Sequence, residues 1–287
     1  MSSTRTDAPD PDAARGSPRT ARGTSRASGA PAGTLARGMA VLDFLLAATQ
    51  PMTLAEIADG LGLDHSSALR LLRALEELGR VIRLPDGRKY ACSPQALRPL
   101  SLLHPIEQLR RDAAPLISAL AAQIRQSVVL VVFFGQERCV VDVALSPGSL
   151  SPYYSTWLHG PLHGSGPGKC LLMSLDEPRR RALLGPEPYR AHTPTTLTSW
   201  DDVSADLAAA TERGYAIVRD EFYDGLSAVA APFSGWSGRP LGCIAATGHS
   251  RNLTDEAIAS TGPEVARVAR LIPLQAASLR LLEPFAP

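Results

Sequence analysis

His65, Ser66, Leu69, Arg70 and Arg73 fall at i, i+1, i+4, i+5 and i+8, so on a helix they share one face. Ala68, Leu71, Leu72, Leu75 and Leu78 follow the i, i+3, i+4, i+7 rhythm of the opposite, core-facing side. Such a helix displays hydroxyls, an imidazole and guanidinium groups together. Those groups suit base edges in a DNA major groove, where arginine bonds guanine through two hydrogen bonds. They also suit phosphates, which the free N–H groups at a helix start attract. Ser66 and Ser67 stand at that start, Ser67 either as a phosphate ligand or as the helix cap. Arg70 is the expected principal contact to base or phosphate. A merely solvated helix carries the same pattern, so the neighbouring elements decide between the two.

Those neighbours agree with DNA reading. Thr53 followed by Glu56 is a capping-box signature ahead of Ile57, Ala58 and Leu61. Gly62 ends that short helix, and Asp64 is placed to cap the next. An earlier helix is marked by Met39, Leu42, Leu45 and Leu46 and closes at Gln50-Pro51. After Gly79, extended segments at 81–84 and 89–92 flank Pro85-Asp86-Gly87, a hairpin signal. Helix, helix, turn, helix, hairpin is the order of a winged helix-turn-helix. Arg88 and Lys89 in the hairpin are placed for phosphates, where they add sequence-independent affinity. Glu76 and Glu77 are expected to lie beyond the groove.

Other chemistry fails on spacing. Gly168-Lys169 would need a glycine five residues before Gly168 and a hydroxyl after the lysine to form a phosphate loop; His163 and Cys170 stand there. His159 and His163 flank Gly160-Pro161, which prevents the helix that would converge them on a metal. No Gly-x-Ser-x-Gly elbow occurs. The expectation is no catalytic residue, no metal and no cofactor. Cys92, Cys139, Cys170 and Cys243 are widely separated, as in a reducing cytoplasm.

The 287 residues carry a formal charge of +1 and are 45% apolar, enough for one large domain or two moderate ones. Residues 1–34 read as a disordered arm in which Arg15, Arg19, Arg22 and Arg26 can meet phosphates or do nothing. Residues 35–95 form the winged unit, 96–125 a helical linker with Pro105 and Pro115 each opening a helix, and 126–284 a further domain. In that domain 128–134 and 139–143 read as a hairpin, followed by a helix from about 168 to 175. A helix at 200–213 comes next, then strands at 215–218, 227–232 and 241–247. Terminal helices are expected from Asp255 and from Pro263. This alternation implies an α+β domain. The apolar run 128–134 is too short to cross a bilayer, so no membrane partner is expected.

The stretch from Gly62 through Leu75, then Leu78-Gly79, resembles the helix-turn-helix of IclR-type bacterial regulators. Pro161-Leu162-His163-Gly164-Ser165-Gly166-Pro167-Gly168-Lys169-Cys170-Leu171-Leu172 is similar to that family's loop-to-helix motif. Glu212-Arg213-Gly214-Tyr215-Ala216, Asp220-Glu221-Phe222, Gly225 and Ala230-Ala231-Pro232 continue in order. The resemblance spans about residues 35–282. It implies a GAF-like antiparallel-sheet effector domain, dimers or tetramers, palindromic operators in double-stranded DNA, and control by a small metabolite, often an organic or aromatic acid. It also implies effector contacts at Leu158, Gly166, Pro167, Val218, Leu226, Ala228, Ala245 and Thr247. Relatives often carry an acidic residue where Val218 aligns, and small polar residues or cysteine at Ala228 and Ala245. With Tyr153, Tyr154 and Trp157 nearby, the expected effector is bulkier and less polar than a small keto acid.

One wing-helix unit offers a small contact area, so specific binding calls for two half-sites and a homo-oligomer. Two rival readings stay open from sequence: an enzyme, for which no nucleophile–base pair is evident, and an oligomeric DNA-binding adaptor whose C-terminal domain binds no ligand.

Overall fold

A computed structural model describes residues 33–85, 87–94, 102–153 and 156–287. The arm arginines at 15, 19, 22 and 26, the turn residue Asp86, the first part of the expected linker and Tyr154 lie outside the described residues. The rest falls into two compact units, one before position 100 and one from position 100 onward.

The first unit contains α1 (Thr34–Ala47), β1 (Met52–Thr53), α2 (Leu54–Leu61), α3 (His65–Glu77), β2 (Val81–Arg83) and β3 (Lys89–Cys92). Thr53 and Glu56 form the full capping box at the start of α2, with the Thr53 N–H donating to Glu56 Oε2 at 2.7 Å. Gly62 closes α2 at φ +63°, a left-handed conformation that costs glycine little. A second glycine works by proximity: a Cβ at Gly60 would lie 2.3 Å from the Phe44 ring, so its absence lets α1 rest on α2. Val41, Leu45, Ile57, Leu71, Leu72, Val81 and Tyr90 bury together as one core. The hairpin strands pair antiparallel, and β1, absent from the sequence reading, adds to the outer side of β3 through Met52↔Tyr90 and Thr53↔Lys89.

The second unit is built on a five-stranded antiparallel sheet of order β5-β4-β8-β7-β6. Its strands are β4 (Ser127–Phe134), β5 (Glu137–Ala144), β6 (Ala216–Arg219), β7 (Leu226–Ser234) and β8 (Pro240–His249). Two long helices, α4 (Pro105–Ile124) and α8 (Asp255–Gln275), cover one face, where Leu109, Ile117, Val265 and Ile272 bury against Leu130, Val132, Val229 and Ile244. The other face carries Val129, Val131, Phe133, Ala230, Cys243 and Ala245 beneath α5 (Gly166–Met173). Beyond it lie α6 (Glu177–Leu184) and α7 (Trp200–Arg213).

Two expected helix boundaries are corrected. Pro105 does open α4, with His104 Nδ1 accepting from the Ile106 N–H, but Pro115 lies inside the same helix. Pro263 likewise lies inside α8. An interior proline costs a helix about 3 kcal/mol. Here fully buried residues on both sides of each proline offset that cost, Leu109 with Ile117 and Ile258 with Val265. For the same reason α4 belongs to the hydrophobic core of the second unit. The short α6 escaped the sequence reading because it buries no residue and so leaves no apolar stripe.

Candidate functional site

In the first unit α3 shows the division its sequence demands except at Leu78, expected on the core side but exposed because the helix ends at Glu77. Ala68, Leu71, Leu72 and Leu75 are buried, while His65, Ser66, Arg70 and Arg73 are exposed on the other side. Ser67 and Leu69 sit half-buried between. Asp64 caps the helix: its Oδ1 accepts the Ser66 hydroxyl at 2.6 Å and the Ser67 N–H at 2.8 Å. The bond from Ser66, then that from Ser67, hold the Asp64 carboxyl far below the usual carboxylate range. The Ser66 hydroxyl proton and the Ser67 N–H are therefore already engaged by a resident anion. Of the first turn, the amides of His65 and Ser66 remain for a phosphate.

On the hairpin, Arg88 and Lys89 are exposed. Arg83 joins them, with Nε donating to the Gly87 carbonyl at 2.7 Å and the guanidinium 5.7 Å from the centre of the Tyr90 ring. Sequence reasoning passed over Arg83 because it reads as a strand residue. Its place at the end of β2, four residues before the Gly87 turn, was the available signal.

In the second unit a cavity of about 330 Å³ opens between the sheet, the N-terminus of α5 and loop residues at 152–153, 157–165 and 222–223. Of the residues expected at an effector site, Leu158, Gly166, Pro167, Val218, Leu226, Ala228 and Thr247 line it. Ala245 does not; it is fully buried beneath, where a Cβ on Gly166 would come within 3.8 Å of its methyl. Tyr153, Trp157, Phe222 and Tyr223 supply aromatic walls. Ligand cavities of this size with mostly apolar walls and few polar groups are the usual form of small-molecule sites.

The polar group the sequence reading missed is Arg138. It is only 5% exposed, lines the cavity, and is tied by its Nη atoms to the loop: to Ser165 Oγ at 3.2 Å, the Leu158 carbonyl at 3.1 Å and the Gly160 carbonyl at 2.6 Å. Strand pairing explains its position. Arg138 lies opposite Phe133, and two residues on Val140 lies opposite Val131, both on the α5 face of the sheet. The period-2 pattern of 138–140 was the available signal. The loop is held further by Leu158 N–H to the Arg138 carbonyl at 2.9 Å and Val140 N–H to the Thr156 carbonyl at 2.7 Å.

Behind α5, Lys169 is fully buried and its Nζ meets Glu221 Oε1 and Asp206 Oδ2, each at 2.7 Å, and the Ile217 carbonyl at 3.0 Å. Burial pushes the Glu221 carboxyl pKa up, and Lys169 opposes the rise. Lys169 is thus a structural cation with protein partners rather than a phosphate ligand. His159 lines the cavity, whereas His163 bonds through Nε2 to the Arg190 carbonyl at 3.2 Å. The described residues contain no cluster of three or more metal-ligating side chains, and none of their helices is long and apolar enough to cross a membrane.

Comparison with known proteins agrees with both halves. Residues 104–273 match the bacterial transcriptional regulator IclR C-terminal family, and residues 34–85 match the IclR helix-turn-helix domain. The acetate operon repressor of Salmonella typhimurium is 26% identical over 255 residues, covering 84% of this chain and 89% of that protein. The probable transcriptional regulator SauR of Cupriavidus necator is 29% identical over 198 residues, covering 68% and 78%. In fold, the crystal structure of an IclR regulator from Alicyclobacillus acidocaldarius superposes with a TM-score of 0.72 at 24% identity, covering 85% of this chain and 98% of that one. With a winged helix-turn-helix and a sheet domain that both match in order, the chain belongs to the IclR family of bacterial transcriptional regulators.

Proposed function

We propose that this regulator is a repressor that reads a palindromic operator as a homo-oligomer and releases or reshapes that contact when a small organic acid enters the cavity of its second unit. The observation that carries the DNA-reading part is the state of Arg70 and Arg73. They are exposed on the outer face of α3 and, among the described residues, form no ion pair or hydrogen bond. Arg70 is the principal base contact, helped by His65, Ser66, Ser67, Leu69 and Arg73, while Arg88 and Lys89 hold the flanking phosphates. The aromatic walls and the absence of a carboxylate from the cavity lining favour a mostly apolar or aromatic acid over a small polar one.

Leu35, Met39 and Leu46 are exposed on α1, an apolar stripe suited to pairing with a second copy. The partition we favour is an arm ahead of α1, a DNA-reading unit to about residue 95, and an effector unit that takes in α4 and therefore begins within the expected 96–125 linker. A cytoplasmic regulator without catalytic residues is the consistent reading. The test is binding of the full chain to its own upstream DNA, measured by fluorescence anisotropy. Arg70→Ala should weaken it by about 1–3 kcal/mol, the span for a good base contact. Unchanged affinity in the folded variant would remove Arg70 from the site.

A further inference from the structure

We infer that Arg138 is the anion anchor of the cavity, so that the effector is a monocarboxylate whose carboxyl group docks on Arg138 while its apolar body lies against Tyr153, Phe222 and Tyr223. The inference rests on the cavity being the effector site and names the ligand group that site is built to take.

Burying a guanidinium is costly unless charge and hydrogen bonds compensate it. Arg138 is 95% removed from solvent, taking the complement of its 5% exposure, yet among the described residues it has no ion pair. Its compensation consists of two carbonyls and one hydroxyl, all neutral. Its Nε–H is buried without a hydrogen-bond partner among the described residues. The other buried lysine or arginine among the described residues is treated differently: Lys169 has two carboxylates at 2.7 Å. Burial accordingly lowers the pKa of Arg138, and an arginine still stays charged. A full positive charge without a carboxylate partner, on a residue that lines a cavity with no acidic side chain among the described residues, is an incomplete ion pair.

A second feature points the same way. Helix α5 begins at the cavity, and its cap residue Ser165 makes no side-chain bond to the first turn. Instead the Ser165 hydroxyl donates to the Pro161 carbonyl at 2.5 Å and accepts from Arg138. The first-turn amide of Gly166 and the positive end of the helix thus face the same space as Arg138. The group that balances one guanidinium is planar and singly charged, which is a carboxylate. A phosphate would bring more charge than the lining can balance and no place for its remaining oxygens among Tyr153, Phe222 and Tyr223.

The probes are benzoate, phenylacetate and hexanoate, each paired with its own amide, which keeps shape and removes charge. Titration calorimetry and thermal shift on the unaltered full chain should show at least one acid bound about 10- to 100-fold more tightly than its amide. Arg138→Met should reduce that acid to the level of its amide, and Arg138→Lys should fall between. Should Arg138→Met fail to fold, since the residue also ties the loop, the acid–amide comparison on the unaltered protein and the lysine variant decide. Equal binding of acid and amide, or full acid binding by Arg138→Met, overturns the anchor but leaves the cavity as the site. Failure of every probe at millimolar concentration also overturns it. Acid binding that survives Leu226→Trp, which fills the cavity, places the ligand elsewhere and overturns the cavity reading as well.

Discussion

Lys169 Nζ and Glu221 Oε1 meet at 2.7 Å between α5 and the segment that follows β6, with Asp206 of α7 closing the same cation from another side at 2.7 Å. Three elements that share no sequence neighbourhood are thereby tied through one ammonium group. Breaking such a buried bridge from one side leaves uncompensated charge, at a cost of about 3–5 kcal/mol. Lys169→Met should lower stability by that amount in urea unfolding monitored on the second unit. A loss under about 1 kcal/mol would mean that Glu221 and Asp206 find other partners.

Gly168 is needed for a different reason. A Cβ there would sit 2.4 Å from the Leu162 carbonyl oxygen and 2.6 Å from its Cα, both backbone atoms that cannot swing aside. Gly168→Ala should therefore displace the loop that carries Leu158 and Gly160, at about 1–3 kcal/mol. The displacement should appear as faster amide exchange across residues 158–165, and unaltered exchange would show that the loop yields freely.

Acid sensitivity should come early in the second unit. Burial lowers the pKa of His163 and of His192, whose rings lie 6.3 Å apart. A histidine held below its ordinary value of 6.5 binds fewer protons folded than unfolded, so stability is full above that value and declines as pH falls through it. Melting temperature should fall between about pH 7.5 and about pH 5.5, before ordinary carboxylates titrate. His163→Phe, which keeps a ring beside Tyr189, should flatten that decline. A slope identical to the unaltered protein would assign the acid response elsewhere.

The wing makes a prediction in salt rather than in sequence. Lys89→Ala should weaken binding to specific and random duplexes alike and reduce the slope of log K against log salt by about 1. A variant that loses specific binding alone would instead place Lys89 on a base.

Much of this was readable without coordinates because the two periodicities are strong. The leucines of α3 and the Thr53–Glu56 box announced the helix-turn-helix, and 128–134 could hardly be anything but a buried strand. What failed were positions where tertiary packing overrides a local rule. Pro115 and Pro263 are poor helix interiors by propensity, yet each is flanked by residues whose burial outweighs the missing hydrogen bond. The two-residue β1 is too short to show any period and exists only through its partner Tyr90. In the cavity, the expected apolar contacts came from a family pattern, whereas Arg138 lies on a strand that pattern did not include. Its inward position needed the pairing of β4 with β5, which sets Arg138 opposite Phe133.

The floor beneath Gly166 is made of methyl groups. A Cβ on that glycine would stand 3.0 Å from the Ala230 methyl and 3.8 Å from those of Ala228 and Ala245. A chamber whose base is glycine over alanine has already shed nearly every atom it can spare. At this base, alanine to valine or glycine to alanine makes the chamber shallower, so gains in room have to come from its aromatic walls. Depth is thus set at the glycine–alanine base and breadth at Tyr153, Phe222 and Tyr223, two parts of one chamber that can change independently.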